Sequence, residues 1–155
     1  MIDVTRTFEW LVDGAPGART PMDVIARMCP ELVEAGVALD RFETFVRTLH
    51  PHIAGRSFLW TPHAPVQVIE RSFAYLTSPE FTGSAVGKVF ASGQMVCRTP
   101  RLDEDEHADL AQLAREGYTD FAAGPMKFMS GTVHAVTFAT RRTGGFRDDD
   151  TAAIL

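Results

Sequence analysis

The sequence predicts an α+β fold, in which a mainly antiparallel sheet of about six strands is flanked by helices. Segments with a helical period of apolar residues alternate with segments rich in aromatic and β-branched residues. Most neighbouring strand segments are separated by short turns, and short turns connect antiparallel strands. A length of 155 residues is ordinary for one domain, so we treat residues 1–155 as a single domain.

Two helices are predicted ahead of the first strand. Apolar residues recur at helical spacing over residues 4–13. A second helix is expected to begin at Thr20, because Thr20 can act as N-cap, Pro21 suits the first helical position and Asp23 adds an acid to the first turn. Pro30 lies inside the apolar stripe of this helix, so it is expected to kink the helix or to split it in two.

Three strands are predicted to follow these helices. Aromatic and β-branched residues cluster near residues 41–49, 56–61 and 66–72, and turn-forming residues separate the clusters. The segment Pro62 to Pro65 contains two prolines in four residues, which favours a hairpin turn between the last two of these strands.

The second half of the chain is predicted to add two helices and three strands. Ser78-Pro79 indicates a turn, and Ser130-Gly131 favours a tight hairpin between the last two strands. The acidic run Asp103 to Glu106 suits the first turn of a solvated helix, where the macrodipole favours negative charge. The predicted elements are a helix at 84–90 closed by Gly93, a strand at 95–98, a helix at 103–116, and strands at 121–129 and 132–140.

The chain ends at the beginning of another predicted helix. Asp148 is a candidate N-cap, Asp149 and Asp150 add solvated negative charge to the first turn, and an apolar stripe starts at Ala152 and includes Leu155. An isolated helix this short is marginal in water. We therefore expect a C-terminal helix that begins at about residue 148, is truncated here, and continues in a longer parent protein ahead of a missing catalytic domain.

Composition excludes several classes of partner. The formal net charge is -5, which argues against a broad nucleic-acid surface or an anionic membrane patch. No apolar run reaches the roughly 18–20 residues that span a bilayer, and the N-terminus does not resemble a signal peptide. The two cysteines, Cys29 and Cys97, fit a reducing compartment, so a cytoplasmic location is expected with neither nucleic acid nor membrane as partner.

Residues with catalytic or metal-binding chemistry show no known fingerprint. The histidines and cysteines lack metal-ligand spacing, and there is no nucleophile elbow, phosphate-binding loop or dinucleotide motif. We therefore expect no metal, no cofactor and no catalytic residue in this chain. His134 alternates with Val136 and Phe138 on one face of the last strand, so it is either a hydrogen-bonded core residue or a ligand to an inward group.

Several aromatic residues could line a pocket for a small organic molecule or could simply form core. Such a pocket is expected between the sheet and the helix at 84–92. The candidate lining residues are Trp60, Tyr75, Phe81, Phe90, Cys97 and His134.

Five segments in order resemble one known family. The segments are RTLHPHIAGRSFLW (47–60), TSPEFTGSAVGKVF (77–90), LAREGYTDFAAGPMKF (113–128), HAVTFAT (134–140) and GGFRDDD (144–150). Together they are similar to the GAF-like N-terminal domain that precedes the catalytic domain in a group of bacterial class III adenylate/guanylate cyclases. The resemblance covers the chain from about Trp10 to its end, and Pro30 departs from the uninterrupted helix expected there.

The resemblance implies a regulatory role. GAF domains are antiparallel sheets flanked by helices, and many bind small molecules between the sheet and the shorter helices. In such cyclases the domain is similar to a sensor that adjusts a C-terminal domain, which forms a cyclic nucleotide from its triphosphate. The two metal-binding aspartates of that catalytic domain have no counterpart here, so this chain itself is not expected to be an enzyme.

The resemblance also leaves alternatives open. The sensor reading implies a small-molecule effector of unknown identity, a C-terminal cyclase domain in the parent chain and a homodimer formed through terminal helices. A second reading is a ligand-free dimerisation or interaction module, which predicts mutually packed aromatic residues and no cavity. A third is a cysteine-based redox enzyme of the GAF type, in which Cys97 would react.

Overall fold

The computed structural model describes residues 2–128 and 131–154, which form seven helices and one six-stranded sheet. Met129, Ser130 and Leu155, which belong to the predicted last hairpin and final helix, lie outside the described residues. The elements are α1 Thr5–Val12, α2 Pro21–Glu34, β1 Arg41–Arg47, β2 Gly55–Trp60, β3 Gln67–Arg71, α3 Phe73–Thr77, α4 Pro79–Gly83, α5 Ala85–Ser92, β4 Val96–Arg98, α6 Ala108–Arg115, β5 Asp120–Lys127, β6 Val133–Thr140 and α7 Asp148–Ile154.

Every neighbouring pair of strands in the sheet is antiparallel. The strand order is β3-β2-β1-β6-β5-β4, so strands β1–β3 and β4–β6 form two halves that meet where β1 pairs with β6. The register of this central pair places Phe42 opposite Phe138 and Glu43 opposite Thr137. The predicted α+β class, with six mainly antiparallel strands flanked by helices, is therefore confirmed.

The two faces of the sheet carry different side chains. One face, which we call the α2 face, packs Phe42, Phe58, Trp60 and Phe138 against Ile25, Cys29 and Leu32 of α2 in a single apolar core cluster. The opposite face, which we call the α5 face, packs small residues of β5 and β6 against Ala85 and Val89 of α5. Side chains alternate between these faces along each strand. The members of the second cluster on β5 and β6 are Phe121, Ala123, Ala135 and Ala139.

Helix α2 begins as predicted but continues through Pro30. The Thr20 hydroxyl accepts a hydrogen bond from the Asp23 amide, while the Asp23 carboxylate accepts one from the Thr20 amide, which completes a capping box. The expected split at Pro30 does not occur, because Cys29 and Leu32 on either side of it are buried against the sheet. This packing offsets the one helical hydrogen bond that proline cannot donate.

Two short helices between β3 and α5 were not predicted. The sequence indicates only a turn at Ser78-Pro79, whereas the chain forms α3 and α4 there. The hydroxyl oxygens of Ser72, Ser78 and Ser84 each accept a hydrogen bond from the amide three residues later, at 3.2, 3.2 and 3.0 Å. Three serine caps spaced six residues apart thus begin α3, α4 and α5 in succession.

The acidic run Asp103 to Glu106 is not helical, contrary to the prediction. It forms a turn in which the Glu106 amide donates to the Asp103 carbonyl oxygen, and α6 begins only at Ala108 with His107 as its N-cap. Like charges three or four residues apart on a helix repel one another. A turn keeps Asp103, Glu104 and Asp105 exposed to water.

The beginning of α7 is hydrogen-bonded to the segment that precedes β1. Asp148 is the first helical residue rather than the predicted N-cap, because the Thr151 amide donates to the carbonyl of Arg147. The prediction of a solvated first turn is also wrong for Asp150, which is fully buried. Its carboxylate accepts hydrogen bonds from the amides of Ala38 at 2.9 Å and Arg147 at 2.8 Å, and from the Arg142 guanidinium.

The same contacts determine the ionisation of Asp150. Burial by itself raises the pKa of this carboxyl, but the hydrogen bonds from Ala38, Arg147 and Arg142 outweigh burial and bring the pKa below its ordinary value. Asp150 is therefore a buried carboxylate that joins the start of α7 to the chain entering β1.

Replacement of Asp150 by alanine is expected to destabilise the domain by about 3 kcal/mol. The substitution leaves the Ala38 amide and the partly buried Arg142 guanidinium without their acceptor. Asp148→Ala is the matched control, since Asp148 is exposed in the same turn and its loss should cost about 1 kcal/mol or less. Urea denaturation measures both changes, and equal losses in the two variants would contradict the role assigned to Asp150.

Candidate functional site

A cavity of about 420 Å³ lies between the α5 face of the sheet and the helices that cover it. Strands β1, β2, β3, β5 and β6 contribute side chains to its floor, and α3, α4, α5 and α6 form its wall and rim. This volume is in the range of small-molecule sites in proteins. The cavity lies in the predicted place, between the sheet and the helix at 84–92.

Aromatic rings form one wall of the cavity. Phe81 lies at the centre, with ring centroids 6.0 Å from Phe45, 5.3 Å from Tyr75 and 5.7 Å from Phe90. Phe45, Tyr75 and Phe81 line the cavity, whereas Phe90 contacts Phe45 and Phe81 from behind. The wall therefore offers ring edges and faces to the apolar part of a ligand.

Gly87 allows this wall to be close-packed. A Cβ atom at position 87 would overlap the carbonyl oxygen of Phe81 in the preceding helix. Only glycine lets α5 approach α4 so closely. The helix pair thereby holds the ring of Phe81 over the sheet.

Three charged residues form part of the cavity floor. The Arg41 guanidinium donates to the Glu43 carboxylate at 2.7 Å, and both side chains are less than one-fifth exposed. Arg71 approaches the other oxygen of Glu43, with Nη2 to Oε1 at 3.8 Å, and its guanidinium carbon lies 4.7 Å from the centroid of the Tyr75 ring. We call Arg41, Glu43 and Arg71 the charged floor. It carries one net positive charge.

One donor of the charged floor is unused. Over residues 2–128 and 131–154, the Nε atom of Arg71 is the buried side-chain polar atom that has no hydrogen-bond partner. A buried donor without an acceptor costs free energy, and native structures contain few of them.

Carboxylates lie at the rim of the cavity. Partial burial raises the pKa of Asp109, His107 lowers it, and the negative charges of Glu80 and Glu43 raise it further. The Nδ1 atom of His107 is 3.6 Å from the Asp109 carboxylate. Burial likewise raises the pKa of Tyr75, whose ring lies beneath Arg71. The rim is thus negative where the floor is positive.

The predicted pocket residues are divided between the two faces of the sheet. Tyr75 and Phe81 line the cavity, and Phe90 supports it. The other three predicted residues lie on the α2 face, because their strand partners point to that face. Trp60 pairs with Phe42, Cys97 with Ala122 and His134 with Met126.

The residues that sequence reasoning missed are the charged ones. Arg41 and Glu43 are two residues apart on β1, and that spacing on a predicted strand places both side chains on one face. Charges on one face of a central strand are uncommon and would have been a useful signal. Strand order decides whether β1 is central, and the sequence alone does not reveal that order.

The two cysteines do not form a joint site. Cys29 is fully buried in α2, and burial raises the pKa of its thiol strongly, so it stays protonated. Cys97 is exposed on the edge strand β4. This separation does not support the redox reading, which depends on cysteines near the pocket.

Comparison with known structures identifies the fold family that this chain resembles. No protein-family model matches the chain, and no curated protein sequence gives a significant match. Among solved structures, the GAF domain of a two-component sensor histidine kinase from Bacillus halodurans superimposes with a TM-score of 0.59 over 87% of this chain and 86% of its own, at 17% identity. The chain has a GAF-like fold.

Two further structures have the same fold as this GAF-like chain. The nlh2 GAF domain of A. aeolicus in an inactive state gives a TM-score of 0.59 at 14% identity, covering 96% of this chain and 80% of its own. The reduced form of fRMsr of Staphylococcus aureus gives 0.59 at 8% identity, covering 99% and 89%. Within residues 2–128 and 131–154, none of the helices is long and apolar enough to cross a bilayer.

His134 is a hydrogen-bonded core residue outside the cavity. Its Nδ1 atom accepts a hydrogen bond from the Arg47 amide at 2.9 Å, which assigns the neutral ring with its proton on Nε2. The ring also packs edge-on against Phe128, with centroids 4.8 Å apart. Burial lowers the pKa of His134 below its ordinary value, and the charge of Arg47 lowers it further.

The domain is therefore expected to lose stability in mild acid through His134. Because the folded pKa lies below the unfolded value near 6.5, the unfolded state binds more protons, and the free energy of unfolding falls as the pH drops below about 6.5. His134→Asn can keep an acceptor for Arg47 without titrating, so it should weaken this pH dependence.

Urea denaturation at about pH 5 and pH 7.5 tests the role of His134. The same substitution at the exposed His63 is the control and should leave the difference between the two pH values as in the wild type. An unchanged difference in His134→Asn would show that another group is responsible.

Proposed function

We propose that this GAF domain senses a small organic molecule in its cavity and relays the occupied state through α7 to a C-terminal nucleotide cyclase domain. The observation that carries the sensor role is the cavity itself, where an aromatic wall faces a charged floor. The cyclase context rests on the five ordered sequence segments that resemble the N-terminal domains of class III cyclases. This chain then acts as a regulatory domain without catalytic residues of its own.

The contacts around Asp150 offer a physical connection from the cavity to α7. Glu43 of the charged floor lies on β1, and Ala38, just ahead of β1, donates its amide to Asp150 of α7. Asp40, which also precedes β1, accepts a hydrogen bond from the amide of Arg141, which follows β6. This bond connects the segments next to the two central strands. A ligand that favours one position of β1 would bias the position of α7, provided that it binds the two positions with different affinity.

The ligand-free interaction module remains the alternative. It predicts aromatic residues packed on one another, and Phe45, Phe81 and Phe90 are packed in this way. It also predicts a filled interior, whereas the cavity between the sheet and α3–α6 is large enough for a small molecule. The cavity therefore favours the sensor.

A thermal screen with nucleotides and common metabolites tests the sensor. A ligand present at about 100 times its dissociation constant adds roughly 2.7 kcal/mol of stability. For a domain of this size, that corresponds to a rise in Tm of about 5–10 °C.

Two matched variants locate the binding site of any ligand found in this screen. Ala135→Leu adds a larger side chain inside the cavity and should abolish the rise in Tm. Ala91→Leu adds the same side chain at an exposed position of α5 outside the cavity lining and should preserve it. The absence of any thermal response in the wild type would favour the interaction module.

Extension of the chain by several heptads of its own gene tests the relay. We expect the extended protein to form a stronger dimer in light scattering and to gain helix in circular dichroism, because α7 would continue and pair with its copy. Phe8 on α1 is 65% exposed and is a candidate to join this terminal interface. Phe8→Ser should weaken the dimer, whereas Phe73→Ser, at a residue 51% exposed on α3, should not.

The relay proposal fails if the gene ends at Leu155, or if the extended protein stays monomeric with no added helix. The sensor proposal does not depend on that outcome, since the thermal screen addresses the cavity alone.

A further inference from the structure

The arginines that line the cavity already have partners in the protein. The Arg41 guanidinium donates to Glu43 at 2.7 Å, and Arg71 Nη2 lies 3.8 Å from the other oxygen of that carboxylate. Arg115 donates from Nε and Nη2 to the side-chain oxygen of Gln112 at 3.2 and 3.0 Å. The Nε atom of Arg71 lacks an acceptor, but it is fully buried and therefore out of reach of a ligand. None of these cations requires a bound anion.

Two carboxylates at the rim of the cavity lack such partners. Within the part of the chain that the structure describes, neither Glu80 nor Asp109 forms an ion pair with a lysine or an arginine. The Nδ1 atom of His107 is 3.6 Å from the Asp109 carboxylate, but it accepts the Asp109 amide at 3.4 Å and so holds no proton for that carboxylate. The pKa of Asp109 is raised by burial and also by the negative charge of Glu80, so the two carboxylates act on each other.

The formal charge of the cavity lining agrees with one bound cation. Three arginines and four carboxylates line the cavity, which leaves one net negative charge. Glu80 lies in the first turn of α4 and Asp109 in the first turn of α6, where the helix dipole stabilises each carboxylate by itself. The dipoles do not explain why two unpaired carboxylates meet at the rim of one cavity. A cationic ligand would be a partner for both.

The aromatic wall lies beside these two carboxylates. Tyr75 packs against Phe81 with ring centroids 5.3 Å apart, and Phe81 directly follows Glu80 in α4. The negative charges of Asp109 and Glu80 both act on the Tyr75 hydroxyl. Aromatic faces attract organic cations, and the same rings accept apolar groups. The two parts of an organic amine, its ammonium group and its apolar body, therefore both find matching surroundings here.

We propose that the ligand is a small organic amine, bound as its cation, with its ammonium group at Glu80 and Asp109. Its apolar body packs against the aromatic wall formed by Phe45, Tyr75 and Phe81. The charged floor orients the ligand, because its net positive charge repels an ammonium group and leaves the rim as the favourable position. This proposal rests on the proposed sensor function and specifies its ligand class.

Calorimetric titration with four probes tests the ligand class. The cation is 2-phenylethylamine, its uncharged analogue is 2-phenylethanol, the matched anion is phenylacetate, and methylamine lacks the apolar body. We expect 2-phenylethylamine to bind about 10-fold more tightly than the alcohol, since two partly exposed carboxylates each contribute modestly. Phenylacetate should bind more weakly than the alcohol, and methylamine should not bind detectably. The amine-to-alcohol ratio should fall as salt is raised from about 20 mM to about 0.5 M, because salt screens exposed charges.

Variants of the rim test the assigned residues. Glu80→Gln and Asp109→Asn remove one charge each and keep the shape of the side chain, so each should lower the amine-to-alcohol ratio about 3-fold, and the double variant should bring it to about one. The matched control is Glu104→Gln, which removes an exposed charge outside the cavity lining and should leave the ratio unchanged. A general loss of stability would change both affinities alike, and unfolding without ligand is measured for each variant.

The outcomes separate this inference from the sensor proposal. Equal affinity for amine and alcohol, tighter binding of phenylacetate, or an unchanged ratio in the double variant would overturn the inference. If none of the probes binds and the thermal screen finds a ligand that is not an amine, the ligand class is wrong and the sensor proposal stands. An amine found by that screen supports the inference if it binds more weakly to the rim variants and equally well to Glu104→Gln. If nothing binds in either experiment, both proposals fail.

Discussion

Alternation of side chains along the central strand pair β1 and β6 is the constraint on which this structure depends. Their register puts Phe42 and Phe138 on one face and Glu43 and Thr137 on the other. A shift of one residue would exchange the faces, burying the charges in the apolar core and exposing the aromatic rings in the cavity. The α2 face thus holds the larger aromatic core, while the part of the α5 face on β1 carries charged residues beneath the cavity.

Asp150 connects this strand pair to the last helix, α7, through hydrogen bonds. Its buried carboxylate accepts hydrogen bonds from Ala38, which precedes β1, and from Arg142, which follows β6. The pairing of these two strands joins the halves of the sheet. Removal of either charged partner from a buried pair is costly, so the start of α7 is held firmly to the sheet. A displacement of β1 would therefore reach α7 through a short, direct contact, as the proposed relay requires.

Strong local patterns made most of the fold predictable, and non-local pairing made part of the site unpredictable. Clusters of β-favouring residues separated by turn residues were enough to predict six strands, and capping residues marked the start of α2. The single turns α3 and α4 are too short to show a helical period, although their capping serines were visible. Of the candidate pocket residues, Tyr75 and Phe81 line the cavity and Phe90 contacts it from behind. Trp60, Cys97 and His134 lie on the α2 face, and the sequence alone does not reveal this because register depends on partners far along the chain.

The size of side chains on the α5 face explains why the charges of β1 have a cavity above them. Ala123, Ala135 and Ala139 let α5 approach β5 and β6 closely, and Gly87 lets α4 approach α5. The helices are therefore drawn toward that half of the sheet, and Arg41 and Glu43 lie under the space that remains. An apolar pair of similar volume would fill this space at lower cost in free energy, since burial of ion pairs seldom stabilises a fold. Stability alone therefore gives a poor account of the charged floor, which is compatible with the sensor role proposed for the cavity above it.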